Sequence, residues 1–192
     1  MIKHPPYVYT MNFSDEIIDS VKSWYAASCT DIVQRDNPAT LYNSLYKLTD
    51  LTSTVFPGLL PYLSDEGLVL TLHPGKSTPI HVDNIAESKS SRNIVLNFPI
   101  SMCESVTEFY AHPMLQISKP KFNIREGIVP TGAAPDVSFS MREQAVLLNS
   151  REFHKATNLS SSDTRVVLSC SFNVQLSFNE CVEILKSLSY AE

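Results

Sequence analysis

From Gly67 onward, turn residues punctuate the chain into short β-rich runs: GLVLTLH, TPIHVD, RNIVLNFPI, VTEFYAH, AVLLNS, EFHKATN and TRVVLSCSFNV. Runs of this length, rich in branched and aromatic residues and bounded by Pro, Gly, Asn and Ser, read as strands. Their spacing predicts an antiparallel sandwich, jelly roll or barrel over residues 67–176. The rhythm breaks between Pro113 and Met141, where four prolines and two glycines fall in a stretch with little periodicity. That segment reads as a long connection of the kind that forms lids or binding loops, with Gly127 and Gly132 as hinges.

The flanks read as helical. Ser14 is an N-cap, with Asp15 and Glu16 in the first turn, before Ile17, Ile18, Val21 and Trp24 recur at helical spacing. A second helix is expected from about Pro38 to Val55, where Leu41, Leu45, Leu48 and Leu51 form one stripe and Pro57-Gly58 ends it. Ser177 and Glu180 form a capping-box pattern ahead of Val182, Ile184, Leu185 and Leu188. The expectation is one mainly β domain with flanking helices: a helical elaboration over 1–66, a β core over 67–176 and a closing helix over 177–192.

The 192 residues are enough for one sizeable core. Hydrophobic residues at 43% and only five glycines exclude a disordered or collagen-like chain. A net charge of −5 leaves no basic footprint for a phosphate backbone, so nucleic acid is not an expected partner. No run approaches a membrane span, and the first ten residues lack the apolar stretch of a signal peptide, so a cytoplasmic location is expected. Cys29, Cys103, Cys170 and Cys181 are too scattered for a redox pair or zinc knuckle and read as reduced thiols.

His81-Val82-Asp83 lies in a strand-like run, where positions i and i+2 emerge on one face, so an imidazole and a carboxylate point together. His154 supplies a third group from another β run, 71 residues beyond Asp83. Two histidines and one carboxylate are the ligands of the facial triad, which leaves open positions on Fe(II); zinc accepts the same donors. Arg165 separates these chemistries. If TNLSSSDT is the turn of a hairpin, His154 and Arg165 oppose each other, and a cation beside a metal ligand implies a bridging anion such as a dicarboxylate.

The stretches STPIHVDN, SRNIVLNFPI, EQAVLLNSREFHKATN and TRVVLSCSF, spanning roughly residues 67–173, resemble the Fe(II)- and 2-oxoglutarate-dependent oxygenases. Within that superfamily the chain looks most like the aspartyl/asparaginyl and prolyl hydroxylase-like branch. The resemblance implies a double-stranded β-helix (jelly-roll, cupin-like) core, Fe(II) held by His81, Asp83 and His154, and Arg165 on the distal carboxylate of 2-oxoglutarate. Arg92 matches an arginine that helps hold co-substrate or substrate in that branch. The hydroxyl that often follows the arginine is replaced by Val167, which leaves Tyr110 and Ser169 as candidates to assist. The implied reaction hydroxylates a C–H bond of a small molecule or peptide, in the branch an amino-acid side chain.

Other residues carry weaker signals. His73 and His112 read as turn or loop histidines, Asn97 and Asn149 as buried amides able to support a site, and Lys119 with Lys121 as a solvated basic spot. Two other classes fit parts of the pattern: a cupin-like metal-dependent isomerase or hydrolase, which has no need of Arg165, and a non-catalytic jelly-roll module.

Overall fold

A computed structural model describes residues 7–11, 13–28, 41–83, 93–101, 103–119, 124–141, 144–172 and 176–190. Among these residues, twelve strands form two six-stranded sheets. The first contains, from edge to edge, β1 (Val8–Thr10), β10 (Val146–Asn149), β5 (Ile94–Pro99), β12 (Arg165–Phe172), β3 (Leu63–Leu72) and β2 (Leu41–Lys47). The second contains β7 (Leu115–Lys119), β8 (Ile124–Ile128), β4 (His81–Asp83), β11 (His154–Asn158), β6 (Ser105–Phe109) and β9 (Val137–Phe139). All strand pairs are antiparallel, and neighbours in each sheet are mostly distant in sequence, as a jelly roll requires. Each of the seven β runs read from the sequence overlaps one of these strands.

Alternation along the first sheet explains why both of its faces are buried. Leu96, Phe98, Leu147, Leu168 and Cys170 point to one side, where they pack with Ile18 and Val21 of α1 (Asp15–Ser28), Leu51 of α2 (Thr49–Val55), and Phe178, Cys181, Val182 and Leu185 of α3 (Phe178–Ser187). The intervening Val95, Val146, Leu148 and Val167 point to the second sheet, meeting Phe109 and Phe139. A fully buried side chain such as Phe98 contributes about 1.5–3 kcal/mol relative to exposure. The helix ends follow the sequence: the Ser14 Oγ accepts from the Ile17 N–H at 3.4 Å, and Ser177 and Glu180 complete a reciprocal capping box.

Two expectations are corrected. Leu41–Lys47 is a strand along β3, and only Thr49–Val55 is helical. The edge of β3 offers Leu41–Lys47 a complete backbone ladder, which overrides the helical reading of the leucine stripe. The 113–141 segment is no plain connection either, for Leu115–Lys119 and Ile124–Ile128 form a hairpin whose second strand pairs with β4. Gly127 therefore sits inside a strand, where a Cβ would lie 2.8 Å from the Phe153 ring and 2.9 Å from Pro113, so close packing selects glycine there. Gly132, at φ +80°, occupies a turn that L side chains rarely adopt.

Candidate metal centre and anion site

His81 and Asp83 share the face of β4 turned toward the first sheet, as the period of two requires. His154 opens β11 and is the direct cross-strand partner of His81. Three ligand atoms, one from each of these residues, lie within 4.8 Å of one another. The His81 Nε2 is 3.4 Å from the Asp83 Oδ1, and the two imidazole centroids are 4.5 Å apart. Both histidines are over nine-tenths buried or nearly so, at 9% and 8% exposure.

The strand ends hold this geometry. Thr78 closes a pair of 2.9 Å bonds with Ala156, its N–H donating to the Ala156 carbonyl and its Oγ1 accepting from the Ala156 N–H; the Asp83 N–H donates to the Ser150 carbonyl. The Pro79 carbonyl lies 2.9 Å from the His81 Nδ1, and the Glu152 carbonyl lies 2.9 Å from the His154 Nδ1. A carbonyl only accepts, so each Nδ1 carries the proton and each Nε2 presents a lone pair to the shared space. Two neutral imidazoles and a carboxylate, with both rings fixed from behind, fit a divalent ion bound on one face.

Arg165 starts β12, and alternation puts it on the side of Val167 and Ser169, between the sheets. It is 7% exposed, and among the described residues no carboxylate pairs with it. Burial lowers its pKa to about 10, with the nearby Cys103 thiol acting in the opposite sense, so the guanidinium is fully charged at pH 7. A buried cation without a protein anion is a ready-made carboxylate site. Ser169, fully buried on the same face, is the cross-strand partner of Asn97, whose Oδ1 is buried without a hydrogen-bond partner among the described residues. An amide presents a donor or an acceptor by a flip, so Asn97 suits a polar ligand lying between the sheets.

Arg165 reaches this position by a different route from the hairpin inferred above. β11 and β12 belong to different sheets, so His154 and Arg165 are not cross-strand partners. The Asn158 side chain donates to the Leu72 and Asp163 carbonyls and turns the chain across the sandwich. Tyr110 is also corrected. It packs with Val82 and Phe153 on the opposite face of the second sheet, and its hydroxyl is bound to Glu108, so it does not reach the triad. Arg92 and Lys121 lie outside the described residues. His73 and His112 are not among the ligand cluster, and Asn149 braces the turn before His154 by accepting from the Arg151 N–H.

Sequence reasoning missed the rim of this site. Tyr7 packs against Phe109 with the rings tilted by 38° and centroids 4.9 Å apart, and Phe109 is in turn the cross-strand neighbour of His154, at 5.9 Å. Asp136 and Glu152 lie within electrostatic reach of the Tyr7 hydroxyl. Glu152 was legible by parity, standing two residues before His154, whereas nothing local in the sequence marks Tyr7.

Solved structures with the same architecture give this arrangement its context. HygX from Streptomyces hygroscopicus, solved with nickel and 2-oxoglutarate bound, aligns over 88% of this chain and 82% of its own at a TM-score of 0.54 and 12% identity. SnoN, a non-heme alpha-ketoglutarate-dependent epimerase from nogalamycin biosynthesis, aligns over 86% and 78%, also at 0.54 and 12%. The chain has the jelly-roll fold of these oxygenases. A prolyl-4-hydroxylase from Pseudomonas putida matches over 86% of this chain and 90% of its own at a TM-score of 0.50 and 10% identity. No protein-family profile matches the sequence, and no curated protein does. Among the described residues no helix is long and apolar enough to cross a membrane.

Proposed function

We propose that the protein is an Fe(II)- and 2-oxoglutarate-dependent dioxygenase that hydroxylates a C–H bond of an amino-acid or peptidyl side chain, as the aspartyl/asparaginyl and prolyl hydroxylase-like branch does. The observation that carries the reading is the pairing of a His81, Asp83 and His154 cluster with a buried Arg165 that has no carboxylate partner among the described residues. A structural zinc site would use the first feature and leave the second without purpose.

His81, Asp83 and His154 would hold the iron through two Nε2 atoms and one carboxylate oxygen. Arg165 would fork onto the distal carboxylate of 2-oxoglutarate, with Ser169 and Asn97 further along the same face, orienting the co-substrate with its keto acid end toward the metal. Bound iron supplies the chemistry in which 2-oxoglutarate and O2 become succinate and CO2 while one oxygen atom goes to the substrate carbon. The chain's own share is to fix the imidazole rings through Pro79 and Glu152, to neutralise the co-substrate, and to keep the Phe109 side of the cavity dry.

Anaerobic Fe(II) with 2-oxoglutarate tests the reading. A weak visible charge-transfer band is expected with the wild-type chain and not with His81→Ala or His154→Ala, which should lose metal affinity by about a hundredfold or more because a direct ligand is removed. A His81→Ala variant that binds Fe(II) as tightly as wild type would overturn the metal assignment.

A further inference from the structure

Exposed apolar side chains are ordinary when scattered, but here they gather. Among the described residues six large hydrophobic side chains are exposed, and four of them, Met114 at 75%, Leu115 at 55%, Ile128 at 45% and Ile117 at 38%, belong to the β7–β8 hairpin and the residue before it. None of the four packs into a core cluster of the described residues. A contiguous exposed apolar patch marks a place where another molecule binds.

Strand register fixes which way this patch faces. His81 of β4 is the cross-strand partner of Glu126 of β8, and Glu126 is the partner of Ile117 of β7, so one row of side chains runs from the metal ligand to the patch. Leu115 and Ile128 oppose each other two residues along and share its parity. The other face of the hairpin is packed: a Cβ on Gly127 would strike Phe153 and Pro113, and Phe153 clusters there with Val82 and Tyr110. Leu115, Ile117 and Ile128 therefore stand on the same face of the same sheet as His81 and Asp83. At about 4.8 Å per strand, β7 lies about 10 Å from β4, with β8 between them.

We infer that Leu115, Ile117 and Ile128 form a shelf for an apolar side chain of a peptidyl substrate, carried about three residues away from the residue that meets the metal. One residue advances an extended chain by about 3.5 Å, so a free amino acid held at the triad stops short of the shelf, whereas a peptide crosses the interval in about three residues. One leucine and two isoleucine side chains reward the burial of an aliphatic group and give a charged one only the cost of desolvation. A second copy of the chain seated on this face would close the approach to the triad, so the shared face favours the substrate as occupant. The inference rests on the oxygenase reading of the site and adds to it a substrate large enough to span β4 to β7 and apolar at its far end.

The test uses the full chain loaded with Zn(II), a redox-inert stand-in, and 2-oxoglutarate. Peptides of the form acetyl-Z-Gly-Gly-X-Gly-Gly-Z-amide, with X as Pro, Asn or Asp and Z as Leu or Ser, place Z three residues from X in either chain direction. Their binding is measured by saturation-transfer NMR titration in wild type and in the double variant Ile117→Thr, Ile128→Thr, whose branched replacements suit a strand and whose folding is checked by melting curves. For at least one X, the leucine peptide should bind wild type at least tenfold more tightly than its serine counterpart. The double variant should lose most of that preference while retaining Zn(II) and 2-oxoglutarate. No leucine preference at any X, or a preference undiminished in the double variant, would overturn the shelf. So would sedimentation velocity showing a wild-type dimer that the two substitutions dissociate, which would give the face to a second copy. Failure of wild type to take up Zn(II) or 2-oxoglutarate, with the leucine preference intact, would sink the oxygenase reading instead.

Discussion

Replacing Arg165 with methionine should change stability in opposite directions in the free and the loaded protein. Burial lowers the guanidinium from its ordinary value to about 10, and at 1.36 kcal/mol per unit that is an isolated-charge penalty of about 3 kcal/mol. The sign is set by proton uptake: from about 10 up to the ordinary arginine range the unfolded chain binds the proton that the folded chain has lost, so stability rises with pH there. Below that window both states are protonated and the penalty is present in full, so a measurement at pH 7.5 reads it. Methionine keeps an unbranched stem of similar reach and removes the charge. The free Arg165→Met protein should therefore gain up to about 3 kcal/mol, or roughly 6–12 °C in Tm for a chain of this size. With 2-oxoglutarate the order reverses. Wild type should be stabilised by saturating co-substrate, whereas the variant should bind it about thirtyfold to several-thousandfold more weakly, the equivalent of roughly 2–5 kcal/mol for truncating one side of a buried charge pair. Differential scanning fluorimetry with and without 2-oxoglutarate, together with calorimetric titration on the Zn(II) form, measures both effects. If the free variant lost several kcal/mol, Arg165 would be a structural cation with an anion of the protein's own. If co-substrate affinity were unchanged, the carboxylate would bind elsewhere.

Other predictions address the scaffold. Gly127→Ala should destabilise by about 1–3 kcal/mol in urea denaturation, because its Cβ would meet Phe153 and Pro113 inside 3 Å, and Phe153→Leu in the same chain should recover part of that loss. The Cys181 thiol is fully buried and pushed up to about 12, so at pH 8 it should resist dithionitrobenzoate until the chain unfolds, whereas half-buried Cys103 should react in the native protein. Glu180 has its carboxyl held below the ordinary 4.5 by hydrogen bonds with Ser177. A depressed acid stabilises the fold above its unfolded value and loses that contribution as pH falls through the folded one, so Ser177→Ala should reduce stability at neutral pH and flatten the acid limb of a pH titration below about 4.5.

What the sequence determined by itself about this protein is whatever depends on short-range periodicity. His81 and Asp83 face the same way because a strand repeats every two residues, and Ser14, Ser177 and Glu180 cap helices because their donors and acceptors lie within one turn. The strands containing His154 and Arg165 were legible on the same grounds. Which sheet each strand joins was not, since a jelly roll sends β11 and β12 to opposite sheets through a corner tied by Asn158, and no local pattern distinguishes that corner from a hairpin turn. The same limit hid the β7–β8 hairpin: Leu115, Ile117, Ile124 and Ile128 alternate weakly, and it is the free edge of β4 that turns their alternation into a ladder. Tertiary structure alone put Tyr110 on the far face, left Arg165 without a carboxylate partner among the described residues, and carried Tyr7 onto Phe109. Each of those outcomes is a contact between residues dozens of positions apart, and a contact of that kind is decided when two sheets pack, after local preference has had its effect.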